Sequence, residues 1–469
     1  MLRTGQLDQT AFFKQKLQDA RTCSKRYISI VEKAINIHPL SVYHFYKKLN
    51  VSERFYWSNQ ENTTILTGIG SLVPYHHSTE GQYSAIEKEW EHFCDEVYRE
   101  KVDKWGTGPI LMGGFSFFEK YRNIGHWEKF GTAHFYVPKL MLTISMGETY
   151  ITTNYEITDS TTEADLEKRY EEYHSYLEEY GMTQPEFEEN ILQSKEEYQP
   201  LEWTRSVGQA IDKMKENQLD KVVLNRTMQA TFTNDINSTK VIYSLEATRN
   251  VNYIFSYQLD DHVFISATPE RLIQKKDNRV YSMCLAGSAG KGLTVEENEK
   301  NGKWLINDLK NRHEHDFVVK YIKNTLKSFC EELNIPMYPR IMATKSLLHL
   351  FTPVEGVLHQ HVSLIDLVKA LHPTPALGGF PKKEACQLIA ELEPLERGWY
   401  GAPFGWIDAN GNGDFAVGIR SALIKQNEAK LFAGCGVVES SNPEEEYKET
   451  GIKFLPMLNA LGGSKNETK

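Results

Sequence analysis

Short β-rich runs that follow one another at hairpin distance constrain this chain more than any other feature. In the first half they are RFYWSNQ, TTILTGIGSLV, GPILMGGFSFF and KLMLTISMGETYITTNY; in the second, KVVLNRTMQATF, NYIFSYQLDDHVFISATPERL, RVYSMCLAGSAG, GWIDANGNGDFAVGIRSALI and AKLFAGCGVV. Strands joined by hairpin-sized turns pair antiparallel, because a parallel partner needs a long crossover connection. Helical stretches separate the sets: SAIEKEWEHFCDEVYREKVD in the first half, and EENEKNGKWLINDLKNRHEHDFVVKYIKNTLKSFCEEL and NPEEEYKETGIKFLPMLNAL in the second. The fold class is therefore α+β rather than a doubly wound βαβ series. Strands, helix and strands recur in each half, a loose internal pseudo-repeat without a fixed period.

The chain has 469 residues, 40% of them hydrophobic and 25% charged, an ordinary globular balance that excludes wholesale disorder. Its net charge of -10 disfavours a dedicated nucleic-acid binder. No apolar run reaches the ~18 residues of a membrane span, and the start MLRTGQLDQTAFFKQKL lacks the apolar core of a signal peptide. The six cysteines form no CxxC pair, so neither a zinc ribbon nor a disulfide framework is indicated. A soluble cytoplasmic enzyme is expected. The acidity is concentrated between Ile151 and Pro200, where 14 Asp or Glu face 3 Lys or Arg. Within that stretch Leu166, Tyr170, Tyr173 and Leu177 recur at helical spacing, as in an exposed amphipathic helix. The chain divides accordingly into an α+β half (1–150), an acidic helical connector (151–200) and a C-terminal catalytic region (201–469).

Several chemical-looking motifs have plainer readings. GSAGKG (287–292) lacks the first glycine and the Ser or Thr of a phosphate loop, having Leu285 and Gly292 at those places. DANGNGD from Asp408 has Ile419 where a calcium loop needs a bidentate Glu, so it reads as a hairpin turn. His313 and His315 are two apart on a helix and diverge. Cys435 reads as a small buried thiol.

The last helix carries clear signals: Asn442 as N-cap, Pro443 at the first helical position and Glu445 at the capping-box position. Glu446, Glu449 and Lys453 then share a face, which by spacing alone is a solvated ion-pair face. Glu314, in RHEHD, is a second acidic candidate, and carboxylates from separate helices are what a hard cation such as magnesium accepts. Lys221 opens the strand KVVLNR, and Glu270 follows a strand in ATPERL. By residue type alone the first is more often solvent-facing and the second more often a surface partner of Arg271. On FAVGIR, alternation puts Arg420 on the face of Ala416 and Gly418, with room for an anion or for a buried structural arginine. GCGVV offers glycine amides that can approach a carboxylate.

In order along the second half, KVVLNR (221–226), FISATPERL (264–272), LAGSAG (285–290), RHEHDFVV (312–319), LLHLFTPVEG (347–356), HPTPALGGFPK (372–382), ERGWYGAPFGW (396–406), GDFAVGIRSA (413–422) and AGCGVVESSNPEEEYKET (433–450) resemble the chorismate-utilising enzymes. That family includes isochorismate, anthranilate, aminodeoxychorismate and salicylate synthases. The likeness covers about Trp203 to Leu461; the first 150 residues match weakly, through ILTGIG and GGFSF. It implies two stacked, mainly antiparallel sheets with helices outside and a magnesium site in a deep cleft. By position, Glu314 and Glu449 look like direct metal ligands, with Glu446 helping directly or through water. Arg420, Tyr400, Lys453 and the amides of Gly434 and Gly436 look like the grip on substrate carboxylates, and His349 with Gly287 and Ser288 like pocket wall.

Within the family, Ala286 stands where aminodeoxychorismate enzymes resemble one another in having a lysine nucleophile, and LAGSA replaces the LAGTR of anthranilate and salicylate enzymes. HPTPALGGFPK is similar to isochorismate synthases. The LLES feedback motif and any glutamine-amidotransferase signature are absent. The resemblance implies a magnesium-dependent, reversible conversion of chorismate to isochorismate, by a monomer with no amidotransferase subunit, nucleic acid or membrane partner. Lys221 would take a proton from water adding at C2, and Glu270 would give one to the hydroxyl leaving C4. A salicylate or anthranilate synthase-like enzyme and a non-catalytic chorismate-binding module are the alternatives. Menaquinone and siderophore supply both stay open, with the extended N-terminal half leaning toward the former by analogy.

Overall fold

The computed structural model describes residues 9–100, 102, 104–121, 125–249, 252–344 and 347–463. Its described residues form 21 strands and 11 α-helices, and every strand pairing is antiparallel except that of Tyr27–Ala34 with Val97–Arg99. The hairpin spacing of the sequence thus carries through to the sheet.

All the strands belong to one hydrogen-bonded network, and that network is folded over. Phe255 and Phe404 stack with ring centroids 4.3 Å apart. Along the ladder their strands, Tyr253–Leu259 and Pro403–Asp408, are five steps apart, through Arg54–Ser58, Thr64–His77, Ala133–Ser145 and Ile110–Phe115. A flat sheet would separate them by roughly 24 Å at ~4.8 Å per strand. The sheet therefore makes two facing leaves, and an aromatic core fills the space between them, with Trp57, Phe255, Phe264, Trp399, Phe404 and Trp406 all buried. Helices cover the outer faces. Pro200–Lys215, Leu309–Lys327 and Lys382–Leu392 lie on one side. Ser238–Ala247 and Pro443–Ala460 pack around a second cluster.

Two crossovers between the leaves position the site. The strand His262–Thr268 belongs to one leaf and Arg271–Lys276 to the other, with Glu270 in the step between them. Gly413–Val417 and Ser421–Lys425 cross in the same way at Gly418–Arg420. The crossovers are bonded to each other: the Ala267 amide donates to the Arg420 carbonyl (3.2 Å) and the Val417 amide to that of Glu270 (3.2 Å). Chain that leaves a strand without leaving the interior has free backbone direction, which is how Glu270 and Arg420 both come to face one cavity.

The structure departs from the sequence expectations at definite points. The long helix expected over 296–333 breaks at Asp308, which ends Val295–Asn307 and caps Leu309–Lys327 by accepting from the Asn311 amide at 2.9 Å. Its tail is a strand, Cys330–Asn334. The helix expected over SAIEKEWEHFCDEVYREKVD spans Gln82–Glu96 and gives way to the strand Val97–Arg99, where two β-favouring residues replace the helix formers. In 151–200 the helix Glu163–Tyr180 is present, with a Thr162–Asp165 capping box and with Leu166 and Leu177 buried. The strand Leu192–Glu197 that follows pairs with Lys221–Phe232, so the acidic stretch is stitched into the sheet that bears Lys221. The 408–414 turn joins two paired strands, with Asp408 accepting from the amides of Asn410 and Asn412 at 2.9 Å each. His315 is a core residue bonded to the Ala286 carbonyl and to Thr352. Among the described residues no helix is long and apolar enough to cross a membrane.

Candidate active site

Lys221, the first residue of its strand, is 1% exposed and donates to Glu314 Oε1 at 2.8 Å. It reaches this place by passing beneath Gly436 on the paired strand Glu428–Val438. A Cβ at Gly436 would lie 2.8 Å from Lys221 Cε and 3.1 Å from Glu314 Oε1. Glycine is required there to admit the pair. Gly436→Ala is therefore expected to displace the amine and lower kcat by roughly 100-fold with the fold retained; kcat at the native level would show that the amine's position is immaterial.

Glu270 is buried at the first crossover. Burial pushes its carboxyl up to about 8 against the opposing pull of Lys221, so it holds its proton at neutral pH. Its neighbour Arg271, the first residue of the next strand, faces away, toward Asp414 and Glu61. The surface ion pair that residue types suggested is absent here.

Arg420 stands at the second crossover with φ 52, outside any strand, since Gly413–Val417 ends three residues earlier. The strand alternation expected to carry it past Ala416 and Gly418 does not extend that far; left-handed backbone aims it instead. For a non-glycine residue that conformation costs about 1–2 kcal/mol. Among the described residues its guanidinium has no hydrogen-bond or ion-pair partner, and burial lowers its pKa.

The helix Pro443–Ala460 starts as its sequence indicates, with Asn442 accepting from the amides of Glu444 and Glu445 and Pro443 in the first turn. The reciprocal Glu445 bond of a capping box is not made among the described residues. Glu446 is buried, whereas Glu449 lines the cavity with its side chain 38% exposed and makes the ion pair with Lys453 that spacing suggested. Lys453 binds Glu449 at 2.5 Å and the Gly434 carbonyl at 2.8 Å, and holds the Glu449 carboxyl below its ordinary range. Glu446 accepts from Ser441 at 2.8 Å, and its carboxyl is raised, first by burial and next by the charge of Glu449.

Glu270, Gly287, Ser288, Glu314, His349, Tyr400, Arg420, Gly434, Gly436, Glu446, Glu449 and Lys453 all line one cavity of about 330 Å³. Lys221 lies just behind its surface, in contact through Glu314. Burial lowers His349 to about 3, so it is neutral, and its Nε2 has no hydrogen-bond partner among the described residues. A bulge between Ala286 and Ser288, with Gly287 at φ 78, turns that strand aside to make wall. Tyr400 is buried against Phe432, and burial keeps its phenol protonated. Sequence reasoning missed Lys310, Asn311, Trp304 and Ala376, which also line the cavity. Lys310 precedes Glu314 by four residues, a helical spacing that could have flagged it. A wider groove of about 1120 Å³ opens on the outer side of Lys310 and Glu314, which border both spaces.

The carboxylates Glu314, Glu446 and Glu449 form an oxygen donor set of the kind a hard divalent cation takes. Among the described residues no three acidic, His or Cys side chains stand together as a ready metal cluster. Each carboxylate is paired with a lysine instead: Glu314 with Lys221, Glu446 with Lys310 at 3.8 Å, and Glu449 with Lys453. The donor chemistry, and the repulsion between Glu446 and Glu449 that a cation would relieve, fit a divalent ion on this wall.

The buried Glu270 carboxyl, three further carboxylates and the Arg420 guanidinium, which has no partner among the described residues, thus meet at one cavity, with the Lys221 amine just behind its surface. The family model of chorismate binding enzymes matches residues 12–462, and the chain belongs to that family. It is 38% identical over 447 residues to the isochorismate synthase MenF of Bacillus subtilis, covering 93% of this chain and 94% of that one. It is 32% identical to the salicylate biosynthesis isochorismate synthase of Pseudomonas aeruginosa, over 87% of this chain and 85% of the relative. The structure of MenF, the menaquinone-specific isochorismate synthase from Escherichia coli, superposes with a TM-score of 0.78 at 21% identity, covering 96% of this chain and 99% of that one, a likeness of fold.

Proposed function

We propose that this chain is an isochorismate synthase, an isomerase that adds water at C2 of chorismate while the C4 hydroxyl leaves. The observation that carries the reading is the buried Glu270 carboxyl on the cavity wall with the Lys221 amine just behind that wall, bonded to Glu314 and near enough for its charge to act on Glu270. Relatives matched over most of their own length carry that activity in their names.

Lys221 takes a proton from the incoming water as its oxygen bonds to C2. The ring double bonds shift, the C4–O bond breaks, and Glu270 protonates the departing hydroxyl, so one water enters and one leaves. The acid and base exchange roles in the reverse direction. Arg420, Tyr400, Lys453 and the amides of Gly434 and Gly436 hold the substrate carboxylates; His349, Gly287 and Ser288 shape the wall. Neutral His349 adds no cationic charge that would compete with Arg420. Glu314 and Glu449, with Glu446, would hold magnesium, which supplies electrostatic stabilisation of charge shifting onto the ring carboxylate. The Lys221–Glu314 hydrogen bond ties the proposed base to the carboxylate wall. This reading implies a cytoplasmic monomer with water as nucleophile and no amidotransferase subunit.

Purified protein incubated with chorismate and magnesium, without ammonia, is expected to yield isochorismate alone. Salicylate with pyruvate would make it a lyase, and no product would make it a binding module. Glu449→Gln is expected to raise the magnesium needed for half-maximal activity by roughly 100-fold; an unchanged requirement would remove Glu449 as a ligand.

A further inference from the structure

The strand that opens with Lys221 has an incomplete ladder on one edge. Along its other edge Lys221 to Thr231 pair continuously with Glu428–Val438. On the first edge, Phe380 pairs with Lys221, and the Val223 amide donates to the Gly378 carbonyl at 2.9 Å. The next strand on that side reaches only Met228, with the Tyr198 amide meeting the Thr227 carbonyl. Between these points the Val223 carbonyl and the Asn225 amide have no backbone partner among the described residues, and leaving them unsatisfied would be costly.

An ion pair fills the gap. Arg397 Nη2 donates to the Val223 carbonyl at 2.6 Å, and Glu393 Oε1 accepts from the Asn225 amide at 2.7 Å. The two side chains bind each other through Arg397 Nε to Glu393 Oε2 at 2.8 Å and Nη2 to Oε1 at 2.5 Å. Arg397 Nη1 also donates to the Leu377 carbonyl at 2.9 Å, its guanidinium lies 4.3 Å from the Phe117 ring centroid, and its own carbonyl accepts from the Tyr400 amide at 2.9 Å. Both residues are buried. Through its guanidinium and its own carbonyl, Arg397 thus joins three segments that contribute to the cavity: the Lys221 strand, the loop bearing Ala376 and the turn bearing Tyr400.

We infer that Arg397 and Glu393 are positioning residues, a side-chain substitute for a missing strand that sets the height of Lys221 and the placement of Tyr400. The inference rests on the proposed role of Lys221 as base. A buried ion pair adds little net stability over apolar residues of its size, so stability alone gives weak reason for one here. Its fork geometry, matched to one carbonyl and one amide two residues apart, is what an apolar pair cannot supply.

Arg397→Lys keeps the charge but not the fork, and Glu393→Gln keeps the shape while removing the charge; the second is read if the first gives no folded protein. The expected result is a fall in kcat of about tenfold or more per folded molecule. It comes with a displaced pH profile of kcat, and circular dichroism unchanged at the assay temperature. A pair that serves stability alone would lower the melting temperature and leave kcat, KM and the pH profile per folded molecule as in the wild type, and that result overturns the inference. The wild-type protein assayed alongside separates the two claims. If it fails to convert chorismate, the functional reading fails. If it converts chorismate and the variants match it, only the positioning role fails.

Discussion

Lys221→Ala is expected to lose turnover by roughly 10²–10⁴-fold, the usual contribution of a general base, and to keep magnesium-dependent binding of chorismate. The separation follows from where the groups lie. Lys221 is sealed behind the cavity surface, whereas Arg420, Tyr400 and Lys453 border the cavity directly and are untouched by the change. The Glu314 carboxylate, relieved of its amine, remains on the cavity wall beside the other carboxylates. Steady-state kcat together with equilibrium titration of chorismate reads both halves. Full activity in the variant would end the assignment of the base.

Glu270→Gln should move activity and stability in opposite directions. The variant has no proton to give, so kcat falls by roughly 10²-fold or more. The wild type should lose activity as pH rises through about 8, where Glu270 ionises, and the variant should lack that limb. For stability, the folded-state pKa is raised above the unfolded one, so the native state binds the extra proton between them. Stability is then fully present below the unfolded value near 4.5 and declines as pH rises toward about 8. An amide has no charge to bury. At pH 9 Glu270→Gln should therefore be more stable than wild type by a few kcal/mol, since each tenfold difference in proton affinity between the folded and unfolded states is worth about 1.4 kcal/mol. Chemical denaturation at pH 5 and pH 9 checks the sign; a variant equally or less stable at pH 9 would mean that Glu270 is not held in its acid form by burial.

The antiparallel class and the start of the helix Pro443–Ala460 were legible because hairpin spacing and the Asn442–Pro443 signal are local. The resemblance marked the residues of the cavity, yet residue type and spacing alone favoured duller readings for most of them. Lys221, Glu270 and Glu446 each look like surface residues until the sheet folds over and Pro443–Ala460 turns its acidic face inward. Their burial is created by contacts between segments far apart in the chain. The break at Asp308 was hidden because helix formers flank it on both sides, and only the Asp308–Asn311 bond shows that a second helix begins. Arg420 escaped strand alternation because a single left-handed residue at a crossover leaves no periodic trace. Arg397 and Glu393 lie at helical spacing, i and i+4, which suggests an exposed pair. Their work is done on a strand about 170 residues earlier.

Running the reaction in water enriched in the heavy oxygen isotope tests the account most directly, because the central claim is that solvent water, deprotonated at Lys221, becomes the new hydroxyl as Glu270 releases the old one. Mass spectrometry of the product should find one heavy oxygen per isochorismate, located at C2, with Lys221→Ala forming this labelled product slower by the same factor as its loss of turnover. Isochorismate that retains only the oxygen of the original chorismate hydroxyl would contradict it.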